Sequence, residues 1–315
     1  MKKPLIILTG PTAVGKTNLS LSLAKAIGGE IISADSMQVY KYMDIGTAKI
    51  RLEEMEGIKH YLIDEFDPKE EFNIVKFQEY SLKYLDEIYT KGKIPIIVGG
   101  TGFYIQSVLY GIEFEENEAD NSYREELEAL ANKNGADYLH QMLSVVDKKS
   151  AETIHPNNIK RVIRALEYYK QTGGRISDHN EMERQKESPY NFVYFVLNDE
   201  RKILYDRIND RVDLMIKQGL VDEVKKLLDM GCTKDMVSMQ GIGYKEIISF
   251  LEGNATLEEA IYIIKRDTRH FAKRQLTWFH REKEVTWIHK YEFNNNETML
   301  LEHMLRILIS KNILN

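Results

Sequence analysis

The sequence predicts an α/β fold: a parallel sheet with helices on both faces, into which an all-helical domain is inserted. Four short apolar segments are typical of buried strands, and their sequences are PLIILT, GEIISA, KIPIIVGG and YNFVYFVLND. Each is followed by a segment with polar residues or helical periodicity, and strands that alternate with helices favour a parallel sheet. Between the third and fourth strands lies a long stretch with helical periodicity only, which indicates the insertion.

The first strand leads into a glycine-rich loop. Residues GPTAVGKT match the pattern G-x-x-x-x-G-K-[ST], and the apolar residues of NLSLSLAKAIG recur at helical spacing. In such a loop, backbone N–H groups turn towards an anion, the lysine reaches the terminal phosphates and the next hydroxyl is a ligand for Mg²⁺. The motif predicts a P-loop NTPase-like core with a phosphate or diphosphate site; a glycine-rich turn without a ligand is the alternative. The residues expected to hold the anion are Gly10, Pro11, Thr12, Ala13, Val14, Gly15, Lys16 and Thr17, with Thr17 also at the metal.

Polar residues follow the second and third predicted strands. GEIISA leads into DSMQVY, and KIPIIVGG leads into TGFYIQSVLYG. Right-handed crossovers place the C-terminal ends of parallel strands along one edge of the sheet, where ligands of such folds bind. We therefore expect Gly10–Thr17, Asp35–Tyr40 and Gly99–Tyr104 to lie close together.

Asp35 is the acidic residue predicted at this edge. Enzymes that consume nucleoside triphosphates usually carry a Mg²⁺-holding acid at the end of another strand, yet KIPIIVGG ends in glycines followed by Thr101. A carboxylate at Asp35 could accept a proton from an incoming nucleophile, and a Mg²⁺ ligand or a helix N-cap are the alternatives. Thr101 could donate a hydrogen bond to the same reacting centre or serve only as a turn residue.

The chain is expected to divide into a core of residues 1–112 and 190–315 and an inserted helical domain of residues 113–189. Within the insertion, YREELEALANKNG and NNIKRVIRALEYYKQTGG have helical periodicity and end in glycine, as helix C-termini do. After the fourth strand, a long helix is expected to begin near Glu200, and the chain is expected to remain helical to its end.

Composition excludes several classes of protein. The 315 residues contain one cysteine, Cys232, which excludes a disulfide framework and a cysteine metal cluster and suits a reducing compartment. The apolar run in MKKPLIIL is too short for a signal peptide, and no apolar run approaches the roughly 18 residues of a membrane span. We expect a cytoplasmic protein without a membrane partner, and a monomer by default.

Positive charge is concentrated in two segments although the net charge is −6. IKRVIRALEYYK contains Lys160, Arg161, Arg164 and Lys170 against a single acid, Glu167. KRDTRHFAKRQLTWFHREK is also strongly basic and has aromatic residues interleaved. Basic helices with aromatic residues indicate a groove that follows a phosphate backbone, and solvated amphipathic helices are the alternative.

The motifs resemble, in order and spacing, those of the tRNA dimethylallyltransferases (isopentenyl-tRNA transferases): GPTAVGKT, DSMQVY, IGTAK, GGTGFY, NIKRVIRALE, MQGIGYKE and KRQLTWFHR. The resemblance extends from Pro4 to about Trp287, and DSMQVY followed by IGTAK and GGTGFY is far more specific than the phosphate loop alone. One departure follows TWF, where the family is expected to have arginine and this chain has His280 and then Arg281. Either side chain is a candidate for that role.

The resemblance implies transfer of a dimethylallyl group from dimethylallyl diphosphate to N6 of the adenosine beside the anticodon (position 37) in tRNAs reading codons that start with U. Diphosphate is released and no ATP is consumed. Lys16, Thr17 and Mg²⁺ would stabilise the leaving diphosphate, Asp35 would be the general base, and Thr101 would contact the adenine. Arg207 and Arg211, which share a helix face, could clamp the diphosphate or form a salt-bridged surface.

The resemblance also implies contacts to the anticodon stem-loop of tRNA. The positions that it assigns to tRNA are Asp35, Ser36, Met37, Gln38, Thr101, Arg124, Lys160, Arg161, Val162, Ile163, Arg164, Gln240, Gly243, Tyr244, Lys245, Lys273, Arg274, Gln275, Trp278 and His280.

Two other functions remain open at this point. One is an ATP-dependent P-loop kinase acting on a small molecule or nucleoside, and the other is a non-catalytic RNA-binding regulator. The missing acid after KIPIIVGG counts against the kinase. The combination of Lys16, Thr17 and Asp35 counts against a pure binder.

Overall fold

The computed structural model describes residues 2–114 and 122–314. The chain separates into two compact units: Met1–Leu109 together with Pro189–Asn315, and Tyr110–Ser188. Residues 115–121 of the insertion expected at 113–189 lie outside the described residues. Across the described ranges, no helix is both long and apolar enough to span a membrane.

The first unit is built on a six-stranded sheet whose strands are β1 (Lys3–Thr9), β2 (Glu30–Ala34), β3 (His60–Tyr61), β4 (Pro95–Gly99), β5 (Tyr190–Asn198) and β6 (Val285–His289). Their order is β3-β2-β4-β1-β5-β6, and every neighbouring pair is parallel. In the central strand β1, Leu5, Ile6, Ile7 and Leu8 are all 0% exposed, because helices cover both faces of a parallel sheet. The predicted parallel α/β fold is confirmed.

Three helices precede the insertion: α1 (Lys16–Ile27), α2 (Ile74–Thr90) and α3 (Gly102–Leu109). Helix α1 begins after Gly15 and ends at Gly28, which has a left-handed φ of 66° that glycine adopts without strain. Helix α2 is capped by Asn73, whose side chain accepts hydrogen bonds from the backbone N–H groups of Val75 and Lys76.

The second unit is helical in its described residues and contains α4 (Ser122–Asn134), α5 (Ala136–Val146), α6 (Lys148–Thr153), α7 (Ile159–Thr172) and α8 (Ile176–Glu183). Its own apolar core includes Leu127, Leu139, Leu143, Val162 and Leu166. Leu139 and Leu143 of α5 are four residues apart, as are Val162 and Leu166 of α7, so each of these two helices buries one face.

The chain then continues through α9 (Arg201–Gln218), α10 (Leu220–Asp229), α11 (Tyr244–Leu251), α12 (Leu257–Phe279) and α13 (Glu297–Ser310). Helix α9 begins immediately after Glu200, where the sequence predicts it. Helix α12 begins with a capping box, in which Thr256 Oγ1 accepts from the N–H of Glu259 and the Glu259 carboxylate accepts from the N–H of Thr256.

The expectation of helix from Glu200 to the end of the chain is wrong, because β6 lies between α12 and α13. β6 pairs with β5 from Tyr194 opposite Val285 to Asn198 opposite His289. Its sequence VTWIH is rich in β-branched and aromatic residues, which suit a half-buried pleated surface. Such a short strand beside strongly helical segments gives little periodicity to recognise, and the same holds for the two-residue strand β3.

Candidate active site

The phosphate loop between β1 and α1 is held in a conformation that requires glycine. Gly10 and Gly15 have φ values of 147° and 95°, and a Cβ at Gly10 would lie 2.3 Å from the carbonyl oxygen of Leu197. The Nζ of Lys16 donates hydrogen bonds to the carbonyl oxygens of Gly10 at 2.9 Å and Pro11 at 3.0 Å. The loop therefore curls over its own lysine.

The amine of Lys16 lies in an environment that disfavours its charge. Burial, followed by the positive charge of Arg211, lowers the pKa of Lys16 to about 8, while the carboxylate of Asp35 acts in the opposite direction. Burial also lowers the pKa of Arg211. Holding the positive charges of Lys16 and Arg211 close together in a buried place costs free energy, and a bound anion would offset that cost.

The backbone donors of the loop are fewer than the motif suggests. Pro11 has no N–H, and the N–H of Thr12 donates to Oε1 of Gln275 at 2.9 Å. The N–H groups of Ala13 and Gly15 have no partner among the described residues. Thr12 and Pro11 therefore shape the loop, and an anion would be bound by the donors nearer to α1.

Further cations reach the loop from α9 and from the end of β6. Arg207 pairs with Asp199, whose side chain is 0% exposed, at 2.7 Å. Arg211 makes no ion pair with any described residue. Lys290, directly after β6, donates to the carbonyl oxygen of Val14 at 3.3 Å. Lys290 is not predicted from the sequence, because it follows β6, a strand too short to be recognised by its periodicity.

Asp35 directly follows β2 and lies within electrostatic range of Lys16. Its Oδ1 accepts hydrogen bonds from the N–H groups of Met37 at 2.9 Å and Gln38 at 3.3 Å, which is a side-chain cap of the following turn. The Oδ2 has no hydrogen bond with any described residue. One oxygen thus positions the carboxylate, and the other can accept a proton.

The backbone of Thr101 is hydrogen-bonded to the end of β2, next to Asp35. Its N–H donates to the carbonyl oxygen of Ala34 at 3.2 Å, one residue before Asp35. The approach is close because Gly99 and Gly100 precede it: a Cβ at Gly99 would lie 2.2 Å from the oxygen of Ala34. The three polar segments that the sequence placed at one sheet edge therefore lie together in the structure.

The sequence profile described as IPP transferase matches residues 38–282. The chain belongs to this family. It is 61% identical over 312 residues to a tRNA dimethylallyltransferase of Lachnoclostridium phytofermentans, and the match covers 99% of each chain. A tRNA dimethylallyltransferase of Acetivibrio thermocellus is 54% identical over 295 residues, with 94% of each chain covered. The resemblance drawn from the motifs is confirmed.

A solved structure agrees with these sequence comparisons. The full-length tRNA isopentenylpyrophosphate transferase from Bacillus halodurans is 47% identical and superimposes with a TM-score of 0.73. The match covers 99% of this chain and 98% of that one, so both units are included.

In this member of the IPP transferase family, Gln38 is held by the loop that contains IGTAK. Its Nε2 donates to the carbonyl oxygens of Thr47 at 3.2 Å and Ala48 at 3.4 Å. The same loop is anchored by Glu223, which sequence reasoning did not identify. Its carboxylate accepts from three successive backbone N–H groups and from the hydroxyl of Tyr244; the distances are 2.9 Å for Asp44, 2.7 Å for Ile45, 3.0 Å for Gly46 and 2.7 Å for Tyr244.

Several positions that the resemblance assigns to tRNA contact are buried in the structure. Tyr244 is 1% exposed, and its hydroxyl is used by Glu223. Gln275 is 6% exposed, and its amide bridges the N–H of Thr12 and the carbonyl oxygen of Gly100. The polar side-chain atoms of both residues are thus hydrogen-bonded within the protein. Val162, Ile163 and Gly243 are also buried.

Seven of the positions that the resemblance assigns to tRNA are exposed, namely Lys160, Arg161, Gln240, Lys245, Lys273, Arg274 and His280. Arg164 and Trp278 are partly buried, and Trp278 packs on Gly102, where a Cβ would lie 2.2 Å from the indole. Met37 extends to Gly241, so the DSMQ turn touches the segment that contains Gln240.

Arg124 has a structural partner. Its guanidinium forms a two-pronged ion pair with Glu167, with both N–O distances 2.9 Å. Because Glu167 is 8% exposed, this arginine compensates a buried carboxylate of α7. Arg124 therefore neutralises the negative charge of Glu167, which is the single acidic residue of α7. The exposed Lys160 and Arg161 then have no unpaired acid on their own helix.

His280 caps the end of α12 and stacks on Trp287 of β6, with ring centroids 4.4 Å apart. Arg281 follows it and is also exposed. The histidine ring therefore has a defined orientation against β6, and the guanidinium of the next residue remains available at the surface.

Proposed function

We propose that this protein transfers the dimethylallyl group of dimethylallyl diphosphate to N6 of the adenosine beside the anticodon of tRNA and releases diphosphate. The observation that carries the proposal is the free Oδ2 of Asp35, held beside Lys16 at the edge of the sheet. Membership of the IPP transferase family and the high identity to proteins named tRNA dimethylallyltransferase support it.

The reaction breaks the C–O bond between the allylic carbon and the diphosphate and forms a C–N bond to the amine. The adenine amine is a poor nucleophile because its lone pair is delocalised into the ring, so departure of the diphosphate must make the allylic carbon cationic. Lys16 and Arg211 stabilise the negative charge of the departing group. The nitrogen becomes positively charged as it bonds, and Oδ2 of Asp35 accepts one of its protons.

Mg²⁺ fits the oxygen donors of this site. It commonly binds substrate phosphates with one or two protein oxygens and retains several waters. Thr17 is exposed at the start of α1 with its hydroxyl unpartnered by any described residue, and Asp35 is the neighbouring carboxylate. Within residues 2–114 and 122–314, no cluster of three His, Cys, Asp or Glu side chains could hold a metal unaided. When bound with the diphosphate, the ion would supply further charge stabilisation for the leaving group.

The adenine must leave its stack to reach Asp35, as a base generally must when an enzyme modifies its Watson–Crick edge. Gln38 and Thr101, which are held beside Asp35, would contact it. The exposed lysines and arginines of α7 and α12 would bind the RNA backbone. We further propose that the protein acts as a monomer in the cytoplasm and that it binds the anticodon stem-loop of tRNA.

A labelling experiment tests the proposal directly. The protein is incubated with Mg²⁺, tRNA and either dimethylallyl diphosphate labelled in the allylic group or ATP labelled in the γ-phosphate. We expect label to enter RNA from the first donor only. A matched tRNA with guanosine in place of the adenosine beside the anticodon should stay unlabelled, because it has no N6 amine at that position.

Three other results would contradict the proposal in different ways. Transfer of γ-phosphate, or ATP hydrolysis that depends on an acceptor, would replace the proposal with a kinase. RNA binding with no turnover of either donor would leave an RNA-binding protein whose loop senses phosphate. Label in the guanosine control would contradict the assignment of the acceptor atom.

A further inference from the structure

The phosphate loop is contacted by a lysine from a distant part of the chain. Lys290 is the first residue of the 3₁₀ helix Lys290–Phe293, directly after β6. Its Nζ lies 3.3 Å from the carbonyl oxygen of Val14 and 3.1 Å from the position that a Cβ at Gly15 would take. The amine therefore touches the loop at the two residues that precede α1.

Around Lys290 and the phosphate loop, the positively charged side chains outnumber the carboxylates that could neutralise them. Burial, followed by the charge of Arg207, lowers the pKa of Lys290, against smaller opposing contributions from Asp199 and Glu297. Asp199 is already paired with Arg207. Among the described residues, no carboxylate lies within 4.0 Å of the charged atoms of Lys16, Arg211 or Lys290.

An excess of partly buried cations costs free energy unless an anion compensates it. A single phosphate group could be surrounded by Lys16 and the loop N–H donors. Because Asp199 neutralises Arg207, the uncompensated charges beyond Lys16 are those of Arg211 and Lys290. They match an anion with more charge and greater length, for which a diphosphate is the simplest chemical class.

We propose that Lys290 is a further ligand of the donor's diphosphate, supplied to the phosphate loop from the end of β6. This inference rests on the proposed function for the identity of the donor, but the anion-binding role itself does not require turnover. In the structure, the amine donates to the carbonyl oxygen of Val14. When diphosphate binds, the same amine donates to a phosphate oxygen.

Calorimetric titration of the full chain with inorganic diphosphate and Mg²⁺ tests this role. Lys290→Met and Lys290→Gln should weaken diphosphate binding by roughly 10-fold or more, the value of a hydrogen bond to a charged group. Lys290→Arg, which retains the charge, should stay within about threefold of wild type. Lys202→Met is the matched control, because Lys202 is 87% exposed on α9 and pairs with Asp206. It should bind diphosphate as wild type does.

The glutamine variant tests whether Lys290 binds the diphosphate or only holds the phosphate loop in place. Its amide can still donate to Val14 but carries no charge, so wild-type diphosphate affinity in Lys290→Gln would mean that the lysine only holds the loop, and the proposal would be wrong. Wild-type affinity in Lys290→Met would overturn it equally. If wild type transfers prenyl groups while these variants bind diphosphate normally, only this inference fails. If the variants lose diphosphate affinity but wild type transfers nothing, the inference stands and the proposed function fails.

Discussion

The phosphate loop and helix α7 both concentrate positive charge, but they hold it in opposite ways. At the loop, Lys16 is tied to two carbonyl oxygens and its pKa is lowered to about 8. On α7, Lys160 and Arg161 are exposed, and the neighbouring Val162 is buried in the core of the helical unit. The first arrangement fixes a few charges in place at a cost in free energy, and the second presents them to solvent at little cost.

This difference indicates two kinds of anion. Fixed and partly desolvated charges suit one small group whose charge changes during a reaction, because they need no reorganisation as it reacts. Solvated charges on long side chains suit an extended polyanion that they position without reading its sequence. Substitutions at the loop edge should therefore change the chemical step or donor binding, whereas substitutions on α7 or the exposed face of α12 should change salt-dependent RNA affinity.

The largest effect is expected from Asp35→Asn. Asparagine keeps an oxygen for the N–H groups of Met37 and Gln38, so the turn is preserved while the proton acceptor is lost. Single-turnover transfer should slow by about 10² to 10⁴-fold, with tRNA and donor affinity near those of wild type. Rapid-quench assays at saturating tRNA measure this rate.

Asp35→Ala is the companion variant, since it removes the cap of the turn as well as the base. It should be at least as slow as Asp35→Asn and also less stable to urea, because a lost hydrogen bond costs about 0.5–1.5 kcal/mol and Oδ1 accepts two of them. If Asp35→Asn retains the wild-type single-turnover rate, Asp35 has only the capping role and another group accepts the proton.

The next effect concerns pH and the charge of Lys16. In the free protein the pKa of this amine is about 8, so the amine is protonated below that pH and loses its charge above it. The ratio kcat/KM for dimethylallyl diphosphate reports groups of the free enzyme and should fall up to tenfold per pH unit above about 8. Lys16→Arg, which stays protonated, should lack this alkaline limb even if its activity is low. An unchanged alkaline limb in Lys16→Arg would assign the ionisation to another group.

Sequence reasoning located the site better than it assigned the side chains within it. Three motifs at strand ends are expected to share one edge of a parallel sheet. The backbone bond from Thr101 to Ala34 joins two of them, and the electrostatic effect of Asp35 on Lys16 places the phosphate loop beside them. Motif and resemblance mark segments, however, and do not show which way a side chain points. The resemblance assigns Gln275 and Tyr244 to tRNA, and the structure shows that both side chains are buried. Lys290 was missed because β6 is too short to be recognised by its periodicity.

A smaller effect tests whether Gln275 supports the phosphate loop rather than contacting tRNA. Gln275→Leu leaves the N–H of Thr12 and the carbonyl oxygen of Gly100 without partners, so the free energy of unfolding should fall by about 1–3 kcal/mol. The KM for dimethylallyl diphosphate should rise severalfold and tRNA affinity should stay constant. Gln240→Leu makes the same change at an exposed position and should affect tRNA affinity alone. Weakened tRNA binding in Gln275→Leu with an unchanged donor KM would restore the original assignment.

The smallest effect is expected from the surface charges, and it is visible mainly in the salt dependence of binding. If Arg161 on α7 and Arg274 on α12 each neutralise one backbone phosphate, each alanine substitution should remove one counterion-release contribution. The slope of log affinity against log salt concentration should then become shallower by about 0.7 to 0.9 per substitution, the values for single-stranded and duplex nucleic acid.

Binding of tRNA to wild type, Arg161→Ala, Arg274→Ala and the charge control Lys202→Ala is measured between about 50 and 200 mM salt, the range over which such contacts weaken most visibly. The two arginine variants should lose affinity about equally for tRNAs of different sequence, because phosphate contacts carry no sequence information. Lys202→Ala should retain the wild-type slope, since Lys202 is already paired with Asp206 at 2.9 Å. Asp35→Asn should retain it too, because its effect lies in proton transfer. If all variants have the wild-type slope, Arg161 and Arg274 are solvated surface charges that do not contact RNA. The difference between buried and exposed cations would then not predict where RNA binds.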